Sequence, residues 1–199
     1  MLDSVGLGPC YACIPPAWQA FIVARVLCVQ ALLILFWRIS RLQKGPEDVP
    51  ASTALFMLLL MLMLFLDLVS TRLGLPDVRL FEILLIVIVA NASILTLTAL
   101  LLQLFGYVQR ILQTLSALLG TSILITVLAM PVLLNLRAHM EDPGGWGILL
   151  LALEVWHLAI TAHILRRALS ISILLALLLA TGYKLLGYQI VGLFVTPVS

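Results

Sequence analysis

Charge is what this chain has least of. Only 10% of its 199 residues are Asp, Glu, Lys or Arg, 63% are hydrophobic, and the mean hydropathy is +1.22. A soluble domain carries about 25% charged residues, so this composition excludes a water-soluble globule and implies a polytopic membrane protein. The net charge of +2 is small and its basic residues are dispersed. That excludes a nucleic-acid surface, and no run of Lys and Arg is long enough to recruit anionic lipid. The chain also lacks a Walker-type loop, a nucleophile elbow, a His-Glu-x-x-His helix and a pair of acids flanking a cleft. Hydrolytic and phosphoryl-transfer chemistry therefore has no visible machinery, and no catalytic residue, cofactor or metal ion is expected. The N-terminal stretch has no basic start, short apolar core and small-residue cleavage site, so no signal peptide is expected and the first apolar run stays.

What is present is apolar helix. A bilayer core needs roughly 20 apolar residues of helix, and six such runs lie near residues 17–37, 53–72, 80–105, 109–136, 147–166 and 170–195. Short loops with Pro, Gly or charge separate them, including RISRLQKGPEDVPAS, GLPDVR, GYVQR and RAHMEDPGG. The fold class implied is all-α: a transmembrane bundle of six helices, a five-span core plus an extra N-terminal helix. Residues 1–43 form an N-terminal segment, and 44–199 the five-span membrane domain. Arg25 interrupts the first run, so that helix either crosses the bilayer or lies in its interface.

Orientation follows from Lys and Arg near the span ends, because cytoplasmic loops carry the excess. Arg38, Arg41, Lys44, Arg110, Arg166 and Arg167 gather on one side, and Arg72, Arg79 and Arg137 on the other. Six spans would put both termini outside. If the first run is interfacial, the five later spans keep their orientation and the N-terminus becomes cytoplasmic.

The fifth run, LLLALEVWHLAITAHILRRALSIS, carries Glu154, His157 and His163. At 100° per residue Glu154, His157 and Thr161 share one helix face, whereas His163 neighbours Arg166 and Arg167. A carboxylate at this depth costs about 2.5 kcal/mol or more on insertion scales and demands a partner or a cavity. With a turn near Leu169, Glu154 and Lys184 are each fifteen residues from it, which puts both at roughly 22 Å along antiparallel helices. The expectation is a Glu154–Lys184 pair that His157 joins. The same reasoning pairs Arg25 with Asp67 across the GPEDVP loop. Such pairs act either as structural ties that hold helix register or as stations on a proton or ion path. A di-iron site would need a second Glu-x-x-His pair, which the sequence does not contain.

Cys10 and Cys13 form a Cys-x-x-Cys without the strand-to-helix setting of a thioredoxin motif, without His after the second Cys for haem attachment, and without partners for a tetrahedral zinc site. A local disulfide or no function at all is the reading they favour, with a thiol-redox role as the alternative. In the fourth run Ser116-x-x-x-Gly120 lies beside Ala117-x-x-x-Thr121, small-residue pairs that let helix backbones approach. Pro131 should bend that run near Val127. Asn91 and Thr98 share a face of the third run and read as an interhelical hydrogen-bonding edge.

KGPEDVPAS, a loop of the form basic-x-Pro-acidic-x-x-Pro-small, opens a further five apolar spans. Together with QTLSALLGTSILITVLAMPVLL and with WHLAITAHILRRALSIS, which carries Trp156, His163 and Arg166, it resembles bacterial relatives of the Yip family over residues 44–195. The resemblance implies an all-helical five-span domain with a cytoplasmic N-terminal side and the last end outside, in the bacterial inner membrane with a periplasmic C-terminus. Eukaryotic members are adaptors that engage small Rab-type GTPases. This chain lacks their long cytoplasmic N-terminal region, which argues against GTPase binding.

The function expected is non-enzymatic: an adaptor, assembly factor or accessory subunit acting through intramembrane helix packing. Its expected partners are membrane lipids, other membrane proteins or further copies of itself, and not nucleic acid. Two alternatives stand beside it: a small proton-coupled carrier or ion conduit using Glu154, His157 and Lys184, and a thiol-redox membrane protein using Cys10 and Cys13.

Overall fold

The computed structural model describes residues 17–138 and 144–194, with side chains from Val29 onward except at 191, 193 and 194. Cys10 and Cys13, and with them the disulfide and redox readings, lie outside the described residues, as does the side chain of Arg25. The chain divides into two compact units, Met1–Ile34 and Leu35–Ser199. The first contributes the start of a helix, and everything that follows concerns the second.

Among the described residues there are six α-helices and no strand: α1 (Ala17–Ser40), α2 (Thr53–Gly74), α3 (Leu80–Leu104), α4 (Ile111–Ala138), α5 (Gly144–Leu169) and α6 (Ile173–Phe194). Each boundary falls within three residues of an apolar run read from the sequence. The runs place the helices because long stretches of Leu, Ile and Val interrupted only at Pro, Gly and charge have no other way to satisfy their backbone in lipid. Helices α2 to α6 are long and apolar enough to cross a bilayer. The protein is a multi-pass membrane protein built as a helical bundle.

The five spans close into a ring. Helix α2 packs on α4, α4 on α5, α5 on α6, α6 on α3, and α3 back on α2. Large apolar side chains such as Leu58, Met61, Phe65, Leu151 and Leu178 are exposed on the outside, where lipid rather than water meets them. Inside, Leu102 of α3, Ala162, Leu165, Ala168 and Leu169 of α5, and Ala176, Ala180 and Tyr183 of α6 form a continuous core. Helix α4 is continuous through Pro131, and Asn135 donates to the Pro131 carbonyl at 2.7 Å.

At the end of the ring that gathers Lys44, Arg110, Arg166 and Arg167, three helices stop in the same way. The amides of Gln43, Tyr107 and Ile171 reach back to the carbonyls of Arg38, Leu102 and Arg166 at 3.0, 2.7 and 3.3 Å. The residues before them, Leu42, Gly106 and Ser170, take φ of 60°, 79° and 55°. These are Schellman closures, in which only Gly106 is the residue type that favours a left-handed backbone. A single turn of 3₁₀ helix at Pro46–Asp48 then docks the loop before α2 against α4 and α5. Ser52 caps α2, accepting from the amide of Leu55 at 3.3 Å.

Candidate functional site

The pair expected from counting away from the hairpin turn is formed. Lys184 Nζ of α6 lies 2.5 Å from Glu154 Oε2 and 3.0 Å from His157 Nδ1 on α5. An ammonium has donors and no acceptor, so Nδ1 of His157 must accept. The ring proton then sits on Nε2, which donates to Ser122 Oγ of α4 at 3.0 Å. This assignment follows from the hydrogen-bond network, and it ties three helices with four side chains. Thr161, on the same face, donates to the His157 carbonyl at 2.9 Å and adds no link between helices.

Asp67 of α2 is engaged by Asn91 of α3, whose Nδ2 donates to Oδ2 at 2.8 Å and to the Val87 carbonyl at 3.0 Å. The sequence pairs Asp67 with Arg25 and counts both with Glu154, His157 and Lys184 as intramembrane polar residues. The Arg25 side chain lies outside the described residues, so that pairing is not seen, and the ring closure brings Asp67 to the same cavity as Glu154, His157 and Lys184. Asp67, Asn91, Ser122, Glu154, His157 and Lys184 all border one cavity of about 310 Å³, to which each of the five spans contributes. Asn91 and Thr98 do form an interhelical edge: Thr98 Oγ1 and the Tyr183 hydroxyl of α6 are 3.0 Å apart. Ser122 is a member that sequence reasoning missed, because a serine on an apolar helix carries no signal until its neighbour is known.

Alongside this cavity, where Leu118 forms part of the wall, α4 is closely packed. Every residue from Thr114 to Thr121 is buried, including Ser116, Ala117, Gly120 and Thr121. The small residues do permit a close approach, but at Gly120 the group that approaches is the Phe36 ring from the end of α1, not a helix backbone. A Cβ at Gly120 would lie inside the van der Waals envelope of that ring. Thr121 spends its hydroxyl on the carbonyls of Ala117 and Leu118 at 2.8 and 3.1 Å, and Ser116 Oγ has no partner among the described residues.

His163 faces away from the Glu154 side of α5, as its helical phase requires. Its Nε2 lies 3.0 Å from the Lys44 carbonyl, and Trp156 Nε1 donates to the Ser40 carbonyl at 2.9 Å. The Trp156 ring also meets Trp37 edge-on with centroids 6.1 Å apart. The loop between α1 and α2 is thereby held by backbone acceptors that no sequence pattern reveals. Glu47 of the 3₁₀ turn pairs with Arg167 at 2.6 Å. Asp48 accepts from the Gly45 amide at 3.2 Å and pairs with Lys44 at 3.2 Å. The Gly45 amide first, then Lys44 and Arg167, hold the Asp48 carboxyl below its ordinary value.

Among the described residues no group of three or more His, Cys, Asp or Glu side chains is arranged to hold a metal ion. The arrangement can bind, exchange a hydrogen bond or relay a proton between adjacent groups. No family model, curated protein or solved structure matches the chain.

Proposed function

We propose that the protein is a non-enzymatic integral membrane protein that acts as an adaptor, assembly factor or accessory subunit through intramembrane helix packing. In this reading it is a Yip-like protein of the bacterial inner membrane with a periplasmic C-terminus. One observation carries it. Among the described residues the ionisable groups within the spans find hydrogen-bond partners inside the bundle, Lys184 with Glu154 and His157, His157 with Ser122, and Asp67 with Asn91, beside the buried stretch Thr114–Thr121 of α4. A network satisfied in this way fixes helix register, leaving the outer apolar faces as the surfaces that meet other components. The lopsided distribution of Lys and Arg supports the orientation. The test is native mass spectrometry of the protein extracted with its surrounding lipid. A reproducible stoichiometric polypeptide is expected, and a bare monomer in every preparation counts against the reading.

A second reading is favoured by the cavity itself. A space of about 310 Å³ that is touched by all five spans and bordered by Asp67, Glu154, His157 and Lys184 suits a small carrier or proton-coupled conduit, since intramembrane ionisable groups line such routes. Glu154→Gln in proteoliposomes discriminates. A carrier loses proton-coupled flux while staying folded, whereas a structural tie has no flux to lose.

A further inference from the structure

The sequence offers no long basic run, yet the fold assembles a basic recess. Where α5 turns into α6, a cavity of about 620 Å³ is bordered by Arg110 at the end of the 3₁₀ turn Val108–Arg110 just before α4, by His163, Arg166 and Arg167 near the end of α5, and by Glu47 of the docked loop. Three guanidinium groups thus face one carboxylate, and Arg167 alone satisfies that carboxylate at 2.6 Å. Arg110 is held in place by its own contacts: its guanidinium sits 4.8 Å from the Tyr107 ring centroid and reaches the Ala168 carbonyl at 3.5 Å. Arg166 is exposed and has no hydrogen-bond or ion-pair partner among the described residues.

An unspent guanidinium on the wall of a concave site is a fork of donors matched to phosphate oxygens. The first turn of α4 adds Gln113 and Thr114 to the wall, at the helix end whose dipole favours an anion. The opposing dipole, at the end of α5, is muted because the Arg166 and Ala168 carbonyls already accept from Ile171 and Arg110. Pro46, Ala168 and Ile171 supply an apolar side, and the recess lies at the end of the membrane-spanning helices.

We propose that this recess binds a phosphate-bearing anion, with Arg166 and Arg110 as its ligands and Arg167 held in reserve on Glu47. Two sources share that chemistry, the headgroup of an anionic phospholipid and free phosphate or a soluble phosphate ester. This site is separate from the Glu154 cluster and does not depend on what that cluster does.

The experiment uses the full chain in phosphatidylcholine nanodiscs doped with phosphatidylglycerol, and native mass spectrometry counts the lipid retained after release. Retention of phosphatidylglycerol over phosphatidylcholine is expected, falling about tenfold in Arg166→Gln, the size of one lost charge-assisted contact. Because Arg166 supports nothing else, that variant should fold; an unchanged melting temperature checks it, and Arg110→Gln is the second variant. If millimolar inorganic phosphate, in place of the lipid, raises the melting temperature of wild type but not of Arg166→Gln, the source is soluble. Equal phosphatidylglycerol retention in wild type and both variants, together with no response to phosphate, overturns the proposal.

Discussion

Lys184 is the hub of the intramembrane network, and replacing it tests the tie more sharply than replacing Glu154. Lys184→Met strips the donor from Glu154 Oε2 and from His157 Nδ1 together, whereas Glu154→Gln keeps an oxygen that Lys184 can still bond. Breaking one side of a fully buried pair costs about 3–5 kcal/mol, and an exposed pair is worth about 0–1 kcal/mol. The Lys184 and Glu154 side chains are 28% and 40% exposed, so the expected loss for Lys184→Met is about 2 kcal/mol, with about 1 kcal/mol for Glu154→Gln. For a chain of this length 2 kcal/mol corresponds to roughly 4–8 °C in melting temperature. The double variant should be no worse than Lys184→Met alone, because the carboxylate that the single variant strands is no longer charged. Thermal unfolding of the four proteins in one lipid composition closes the cycle, with a coupling of about 1 kcal/mol expected. Strictly additive losses, or a Lys184→Met protein as stable as wild type, refute the claim that the pair holds α5 against α6.

Asp48 gives a pH dependence with a defined sign. Its carboxyl is held below the ordinary value of 3.8 in the folded chain, so its contribution is complete above that value and is lost only as pH falls through the lowered one. The stability difference between wild type and Asp48→Asn should be flat from about pH 5 to 8 and shrink below about pH 4, read from melting temperatures across a pH series. Leu42 sits at φ 60° in the closure of α1 and is exposed, so Leu42→Gly should stabilise by up to about 1 kcal/mol, contrary to the usual effect of adding glycine, and a denaturation curve decides it. Gly120→Ala should cost about 1–3 kcal/mol by overpacking against Phe36, and Phe36→Leu should recover part of it, whereas a glycine needed only for backbone approach shows no rescue.

How much of this was legible from residues alone depended on whether a feature is local to one hairpin. Helix positions were legible because hydropathy over about twenty residues is dictated by the bilayer. The Glu154–Lys184 pair was legible too, because two residues equidistant from a tight turn between antiparallel helices must meet at one depth. That Asp67 belongs with the intramembrane polar residues was legible from its depth, but its place on the cavity beside Asn91 and Ser122 was not, since that follows from α3 packing on both α2 and α6, an order that no sequence spacing encodes. The basic recess was hidden for the same reason. Arg110 and Arg166 are far apart in sequence, and only the packing of the α3–α4 corner beside the end of α5 makes them one surface. The role of Gly120 was legible as to type but not as to partner, because a small residue declares room without saying what fills it.

The two cavities bear differently on what the bundle can do because of what lies between them. Thr114 borders the basic recess and Leu118, one turn further on, already borders the intramembrane cavity, so the two lie about 6 Å apart along α4 at 1.5 Å per residue. That turn is buried throughout, and beside it a buried core of Leu102, Ala162, Leu165, Leu169 and Ala176 runs from Ala168 on the recess to Ala180 and Tyr183 on the cavity. A path between the cavities would have to shift α4 relative to its neighbours, and packed helices shift between discrete arrangements rather than deform smoothly. The carrier reading therefore requires a second packing of that core, while the adaptor reading is compatible with the one described. The two readings thus part at a core that carries no charge, and the ionisable residues that draw attention in the sequence are the part of the bundle both readings share.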